Sequence, residues 1–585
     1  MSESETDVSV EFIEEKAVSD EHHVISIDSD EDSAEQKSKI EAPGLRQKAS
    51  KRGLEGTVVN PEEYGQKKLK LPFSTEGKQD VPRFQSPIRL ISNDPYCKVF
   101  PPSSNKDTIT LYDLVGSRIL ESSYQFNMLI DCDFLLPFFK ADPLNFEITL
   151  IGVQSNIAVE DVHRLQYRIK TIDVSTKLSK WGTHHSKMMV NFFHDDTCQI
   201  VIHTMNLTHT DYLAQTQMCW ISPRLKRLNS HAHTNDKKGN LDPVYDVGII
   251  FKRDFLQYLY TYENSVVSSL AEKLKAFDFC PIDVAFVCSS PGRYEFSLAD
   301  RTETETHPET LGDKQLYGYG SLRQVLNRYK LTTPNDAKLI MQVSSISAPL
   351  DNKHTNIGTH VLSSIVEGSR AIVKQPSHKF GEGSGVEINI IWPTEKEIMN
   401  AHYGHISGHA VMFKSKASSG WYAYENQARF LQSFFCRWSS KPSFQSVAGR
   451  SNLSPHVKSY CVTKNNFETL EWFLLTSANL SKQAWGAPDR GYGAASQKKL
   501  QTKHVYTVKS YEAGVLIVPA CIKTKFKIYR PFALRPVQGT DFCEGVNDDT
   551  VYYPIRLPYD TPLKRYTDND RPWTTEKLEE IYSTA

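Results

Sequence analysis

Two histidines, each followed two residues later by a lysine, carry most of the chemistry legible in this chain. The first stands in Trp181-Gly182-Thr183-His184-His185-Ser186-Lys187-Met188, and 19 residues beyond Lys187 comes Asn206, in His203-Thr204-Met205-Asn206-Leu207. The second stands in Ser454-Pro455-His456-Val457-Lys458, with Asn479 placed 21 residues on, in Thr476-Ser477-Ala478-Asn479-Leu480. Each Asn-Leu follows a Ser/Thr-x pair and has an aromatic six residues past the Asn, Tyr212 and Trp485. One His-x-Lys means little, because 19 histidines should give about one such match by chance. Two copies that share a downstream signature are a repeat of chemistry.

In an extended strand residues i and i+2 lie on one face, so His185 and Lys187 are expected to project together from a strand, as are His456 and Lys458. Apolar neighbours such as Met188 and Val190 then fill the opposite face, and each Asn is expected to end an adjacent strand. Two such half-sites facing across a pseudo-twofold axis would gather two imidazoles, two ammonium groups and two amides. That set suits a phosphodiester, because the cations and amides neutralise the equatorial oxygens of the transition state. One His would attack phosphorus, and the other would protonate the leaving oxygen and then activate water. The residues alone leave open which histidine attacks. The lysines supply the positive charge, so no metal or other cofactor is called for. Asp131 with Asp133, and Asp195 with Asp196, read as turn and surface carboxylates.

The elements that must position these groups alternate along the chain. Strand-like runs at 146–153, 200–202, 386–392 and 515–518 interleave with helical stretches at 253–277 and 421–438. Such alternation indicates an α/β fold. Pro281, ahead of the apolar run 284–287, marks a domain boundary, and 302–313 and 381–385 read as surface loops.

At 585 residues the chain has room for roughly two to four domains. Ten cysteines without a Cys-x-x-Cys pair argue against a disulfide framework or zinc cage. No long apolar run suits a membrane span. The net charge of −1 averages unlike parts: residues 1–36 hold 13 acids and one base, leaving 67 bases against 56 acids in the remainder. An acidic tail thus masks a basic body, which permits a polyanionic partner. Residues 1–88 are expected to be a disordered regulatory leader. Within it Val24, Ile25 and Ile27 precede Asp28, Asp30, Glu31 and Asp32, a pattern resembling a SUMO-interacting motif that adds a strand to a partner's sheet edge. Arg46, Lys48, Lys51 and Arg52, then Lys67, Lys68 and Lys70, suit a nuclear import signal, hence a nuclear protein.

Paired His-x-Lys…Asn motifs resemble the phospholipase D superfamily. Most members carry an Asp five residues after the Lys; here those positions are Phe192 and Thr463. That departure, with Ser290-Pro291-Gly292-Arg293, Gly449-Arg450-Ser451-Asn452, Ser510-Tyr511-Glu512 and Asp570-Arg571-Pro572-Trp573, closely resembles the tyrosyl-DNA phosphodiesterase family within it. The resemblance implies two similar α-β-α sandwich domains, 89–281 and 282–585, related by a pseudo-twofold axis. It implies a DNA repair enzyme that cuts the bond between a topoisomerase I tyrosine and a DNA 3′-phosphate, on single-stranded or duplex ends. On the same basis His185 is the nucleophile and His456 the general acid and base. Lys187, Lys458, Asn206 and Asn479 would bind phosphate oxygens, while Glu512 and Gln217 orient the histidines. Trp181 would stack on a base and Ser345 would touch the DNA backbone. Ala348 and Met128 replace a serine and an aromatic of relatives, and His184 is assigned a structural hydrogen-bonding role. A monomer is expected, since one chain carries both half-sites. The competing readings are a phospholipase D-like lipid hydrolase or nuclease, and a non-catalytic scaffold binding DNA ends or SUMO.

Overall fold

The computed structural model describes residues 84–93, 105–228, 247–297, 314–331, 337–347, 386–416, 422–442, 445–488, 503–543 and 549–584. The patch at 24–27, the basic clusters, the loops expected at 302–313 and 381–385, and Ala348 lie outside the described residues.

Short β-branched and aromatic runs build two main sheets. In the first half these are β1 (Ile88–Leu90), β2 (Leu120–Phe126), β3 (Glu147–Gly152), β4 (Arg168–Asp173), β5 (Met188–Phe193) and β6 (Thr197–His203). There follow β7 (Gln215–Thr216), β8 (Met218–Ile221) and β9 (Leu225–Lys226). The second half supplies β10 (Val284–Ser289), β11 (Lys338–Gln342), β12 (Glu387–Ile391), β13 (Phe435–Cys436), β14 (Ser454–Pro455), β15 (Ser459–Thr463), β16 (Trp472–Thr476) and β17 (Glu512–Ile517). The first sheet runs β1-β8-β6-β5-β2-β3-β4, with β9 also on β6, and the second runs β10-β17-β16-β15-β11-β12-β13. The two orders match strand for strand. So do the senses: β2-β3-β4 and β11-β12-β13 are parallel and the other pairings along both paths antiparallel. The repeat of chemistry is a repeat of topology.

Strand alternation then decides the packing. Met188, Val190 and Phe192 of β5 and Ile200 and Ile202 of β6 join Phe473, Leu475, Val515 and Ile517 of the second sheet in one core. Met189, Phe193 and Val201 point the other way, into an outer core of the first half. Tyr460, Val462, Leu474 and Leu516 do the same in the second. The sheets therefore bury one face against each other, and at about 1.5–3 kcal/mol for each large apolar side chain this shared core fixes how the halves meet.

Three expectations change in detail. The helix at 253–277 is two helices, α1 (Val247–Tyr260) and α2 (Ser265–Lys275). Glu263 adopts φ +46° between them, and Asn264 caps the second by accepting from the amides of Val266 and Val267 at 2.9 and 3.3 Å. The helix at 421–438 stops at Gln432 (α3, Ala423–Gln432), because Phe435 and Cys436 pair with Ile390 and Ile391 at the sheet edge. Residues just ahead of 89 also join the fold: Ile88 pairs with Trp220, and the Ser86 amide donates to the Asp541 carbonyl at 2.8 Å. Three residues are too few for a periodic signal, so the pairing partner determines that strand.

Candidate active site

The His-x-Lys motifs lie immediately ahead of β5 and β15, in extended segments rather than inside the strands as expected. Each segment leaves its own sheet there to pair with the other half. The His185 amide donates to the Tyr511 carbonyl at 3.0 Å, and the Tyr511 amide donates to the Thr183 carbonyl at 2.9 Å. Reciprocally, the His456 amide donates to the Thr216 carbonyl at 3.2 Å, where β14 runs parallel to β7. The approach is close: a Cβ at Gly182 would lie 2.4 Å from the Lys509 carbonyl oxygen.

The residue after each carbonyl acceptor turns its side chain onto the histidine just engaged. Glu512 Oε2 lies 2.9 Å from His185 Nδ1. Gln217 reaches His456 Nδ1 with Nε2 at 2.9 Å and Oε1 at 3.2 Å. The Ser/Thr of the repeated Ser/Thr-x-Asn-Leu signature anchors these groups: Thr204 Oγ1 donates to Gln217 Oε1 at 2.7 Å, and Ser477 Oγ to Glu512 Oε2 at 2.5 Å. Each half thus orients the other half's imidazole.

Lys187 Nζ donates to the His185 carbonyl at 3.3 Å and Lys458 Nζ to the His456 carbonyl at 2.7 Å. Both lysines are fully buried. Asn206 and Asn479 each stand three residues past the end of the neighbouring strand, β6 and β16. Asn479 Oδ1 accepts from the amides of Ser344 and Ser345 at 3.0 and 2.9 Å, which leaves its NH2 group as a donor. Asn206 Oδ1 is buried without a hydrogen-bond partner. Burial pushes the Glu512 carboxyl up, while Ser477 and the charges of Lys187 and Lys458 pull it back. Both lysines acting on one carboxyl is the electrostatic sign that the half-sites converge. The arrangement offers two unlike imidazoles: a carboxylate at Nδ1 places the proton of neutral His185 there and its lone pair on Nε2, whereas His456 Nδ1 meets the neutral Gln217 amide.

One buried carboxylate of this cluster is not marked by the sequence motifs. Asp211 is buried, accepts from the Asn206 amide at 3.0 Å, and places Oδ2 3.6 Å from His456 Nδ1. Its only signal was position, five residues after Asn206; the equivalent in the second copy is Ala484, so comparing the repeats drew attention away from it. The Ser/Thr hydroxyls had a visible signal in the repeated signature, without an evident role.

His184 has the structural role expected. Its Nδ1 faces the Asn127 carbonyl at 3.1 Å and its Nε2 the Tyr262 hydroxyl at 3.0 Å; Tyr262 meets Tyr258 at 3.2 Å, and Tyr258 bonds Ser186. Burial holds the His184 imidazole down to about 3, so Nδ1–H donates and Nε2 accepts from Tyr262. Tyr262→Phe strands that buried nitrogen and should cost about 1–3 kcal/mol in urea denaturation. A loss within 0.3 kcal/mol of zero, on the order of error in such measurements, would remove the hydroxyl from this account.

Trp181 sits just outside the cluster, half-buried under the Lys180 ammonium at 5.0 Å, with φ +72°. That conformation is rare for a bulky residue and is held by the turn into Gly182. Ser345 is engaged with Asn479 through its amide, and Met128 is buried in the core. Asp131 caps a short helix at the Phe134 amide, Asp133 faces His163 at 2.9 Å, Asp195 accepts from Thr197 at 2.6 Å and Asp196 lies 3.6 Å from Arg227. They hold turns and surface, as expected.

The family model described as tyrosyl-DNA phosphodiesterase matches residues 96–567. The chain belongs to that family. It is 27% identical over 526 residues to the probable tyrosyl-DNA phosphodiesterase of Schizosaccharomyces pombe, covering 81% of this chain and 90% of that one. It is 26% identical over 487 residues to tyrosyl-DNA phosphodiesterase 1 of Drosophila melanogaster, covering 82% and 72%. The crystal structure of the yeast tyrosyl-DNA phosphodiesterase superposes with a TM-score of 0.58 at 23% identity, over 83% of this chain and 98% of that one. That likeness shows a shared fold over most of the chain.

Proposed function

We propose that this chain is a DNA repair phosphodiesterase that hydrolyses the bond between a tyrosine, such as that of topoisomerase I, and a DNA 3′-phosphate. The observation that carries the reading is the crossed pair of oriented histidines, one held by a carboxylate and one by an amide. In the first step His185 Nε2 attacks phosphorus; the P–N bond forms as the P–O bond to tyrosine breaks. His456 gives its Nε2 proton to the departing phenolate, while Lys187, Lys458, Asn206 and Asn479 bear the charge on the equatorial oxygens. In the second step His456 takes a proton from water, the water oxygen attacks phosphorus, and the P–N bond breaks to leave a 3′-phosphate and restore His185. Glu512 and Gln217 are positioning residues in this scheme.

DNA would approach past Trp181, whose half-buried ring offers a stacking surface to a base, and near Ser345. The same reading takes 89–281 and 282–585 as the two domains, one chain as the working unit, and the nucleus as the place of action. The patch Val24, Ile25 and Ile27 would recruit SUMO without touching the chemistry.

An oligonucleotide bearing 3′-phosphotyrosine should be converted to the 3′-phosphate in EDTA, with the product read on a denaturing gel. Absence of turnover by folded protein, or a strict need for added divalent metal, would sink the mechanism.

A further inference from the structure

The second half places a third histidine against the acid/base group. His409 lies 3.7 Å through Nε2 from Asp211 Oδ1, and the other oxygen of the same carboxylate faces His456 Nδ1 at 3.6 Å. The loop that carries it is fixed. The Trp573 indole donates to the Gly408 carbonyl at 3.1 Å, a Cβ at Gly408 would meet that ring at 2.5 Å, and the Met412 amide donates to the Ser344 carbonyl at 2.8 Å. His409 Nδ1 lies 2.7 Å from the Ile406 carbonyl. Both ring nitrogens of His409 therefore face acceptors, a carbonyl and a carboxylate.

We propose that His409 is a positioning residue that shares the Asp211 carboxylate with His456 and so sets the proton affinity of the acid/base histidine. This inference rests on the reading of His456 given above. The titratable groups of the cluster include Asp211, just after Thr208-His209-Thr210, His456 ahead of β15, His409 itself, and Lys458, whose ammonium donates to the His456 carbonyl at 2.7 Å; Gln217 and the Ile406 carbonyl are neutral. An ionised Asp211 favours the imidazolium of His456, which the first step needs. A proton on His409, facing the opposite oxygen, would weaken that pull, so that His456 can lose its proton to the phenolate and then accept one from water. Asp211 is a buried carboxylate between two imidazoles, and both of them come from the other half of the chain.

Single-turnover rates of adduct formation across pH test this with the full chain. His409→Gln keeps a donor near Asp211 but removes the charge. Its alkaline limb should move up by about 0.5–1 pH unit, the scale expected when one nearby charge is removed. His409→Arg retains a cation and should keep the limb within about 0.2 unit of wild type, close to the resolution of such a titration. A uniform loss of rate with unmoved limbs, or equal movement in both variants, overturns the proposal. Wild-type protein that fails to cleave at any pH overturns the underlying phosphodiesterase reading instead.

Discussion

An oligonucleotide ending in 3′-phosphotyrosine should remain uncut with the His185→Ala protein and become covalently attached to the His456→Asn protein. The geometry sets these two outcomes apart. His185 Nδ1 is engaged by Glu512, so Nε2 is the nitrogen assigned to phosphorus. Without it no P–N bond forms, and turnover should fall by about 10⁴-fold or more, the scale seen when a nucleophile in a coupled catalytic set is removed. His456→Asn leaves that attack in place, and a good leaving group can depart with little protonation. It removes the base that directs water, so the second step stalls and the phosphohistidine accumulates. Denaturing gels read both results, since the adduct migrates as a protein–DNA band. An adduct that survives His185→Ala would reverse the assignment of the two histidines.

Glu512→Gln should cost about 10²–10⁴ in rate, by analogy with loss of the carboxylate that orients a catalytic imidazole. Burial is the largest influence on the Glu512 carboxyl and raises it above its ordinary range. Two consequences follow by sign. For activity, acidification through the raised value protonates Glu512 and removes the acceptor for His185 Nδ1–H, so kcat/KM should fall on the acid side; that contribution should be missing from the residual activity of the variant. For stability, a raised folded value means that the favourable contribution is present below the unfolded value and is lost as pH rises through the folded one. The variant should therefore gain stability relative to wild type on the alkaline side of that window. Denaturant midpoints at two pH values check the second consequence. A difference between variant and wild type that does not change with pH would contradict the assignment of burial as the cause.

Much of the site was legible because its chemistry is local and stated twice. His-x-Lys puts two functional groups on one face within three residues, and the recurrence of Ser/Thr-x-Asn-Leu at 19 and 21 residues marked both copies as one device. Composition separated the acidic leader from the basic body, and strand-like runs located β3, β6, β12 and β17 before any contact was known. What remained illegible was what long-range pairing decides. A continuous helical pattern at 253–277 gave no warning of the break at Glu263, where a left-handed residue and the Asn264 cap outweigh periodicity. The short edge strand β13 read as helix because a few apolar residues fit either period until a parallel neighbour is supplied.

The residue types of the site, their duplication and the absence of the usual Asp after each Lys were determined by the sequence itself. Only the tertiary structure decided that orientation is exchanged between the halves. Glu512 serves His185 from 327 positions away and Gln217 serves His456 from 239 away. No local spacing encodes such pairs; they arise because the shared inter-sheet core brings Tyr511 and Thr216 beside the opposite motif, where one backbone bond aligns each orienting side chain with its ring. The same convergence sets Asp211 between His456 and His409. A carboxylate without a counterpart in the second copy became meaningful once three distant segments met around it.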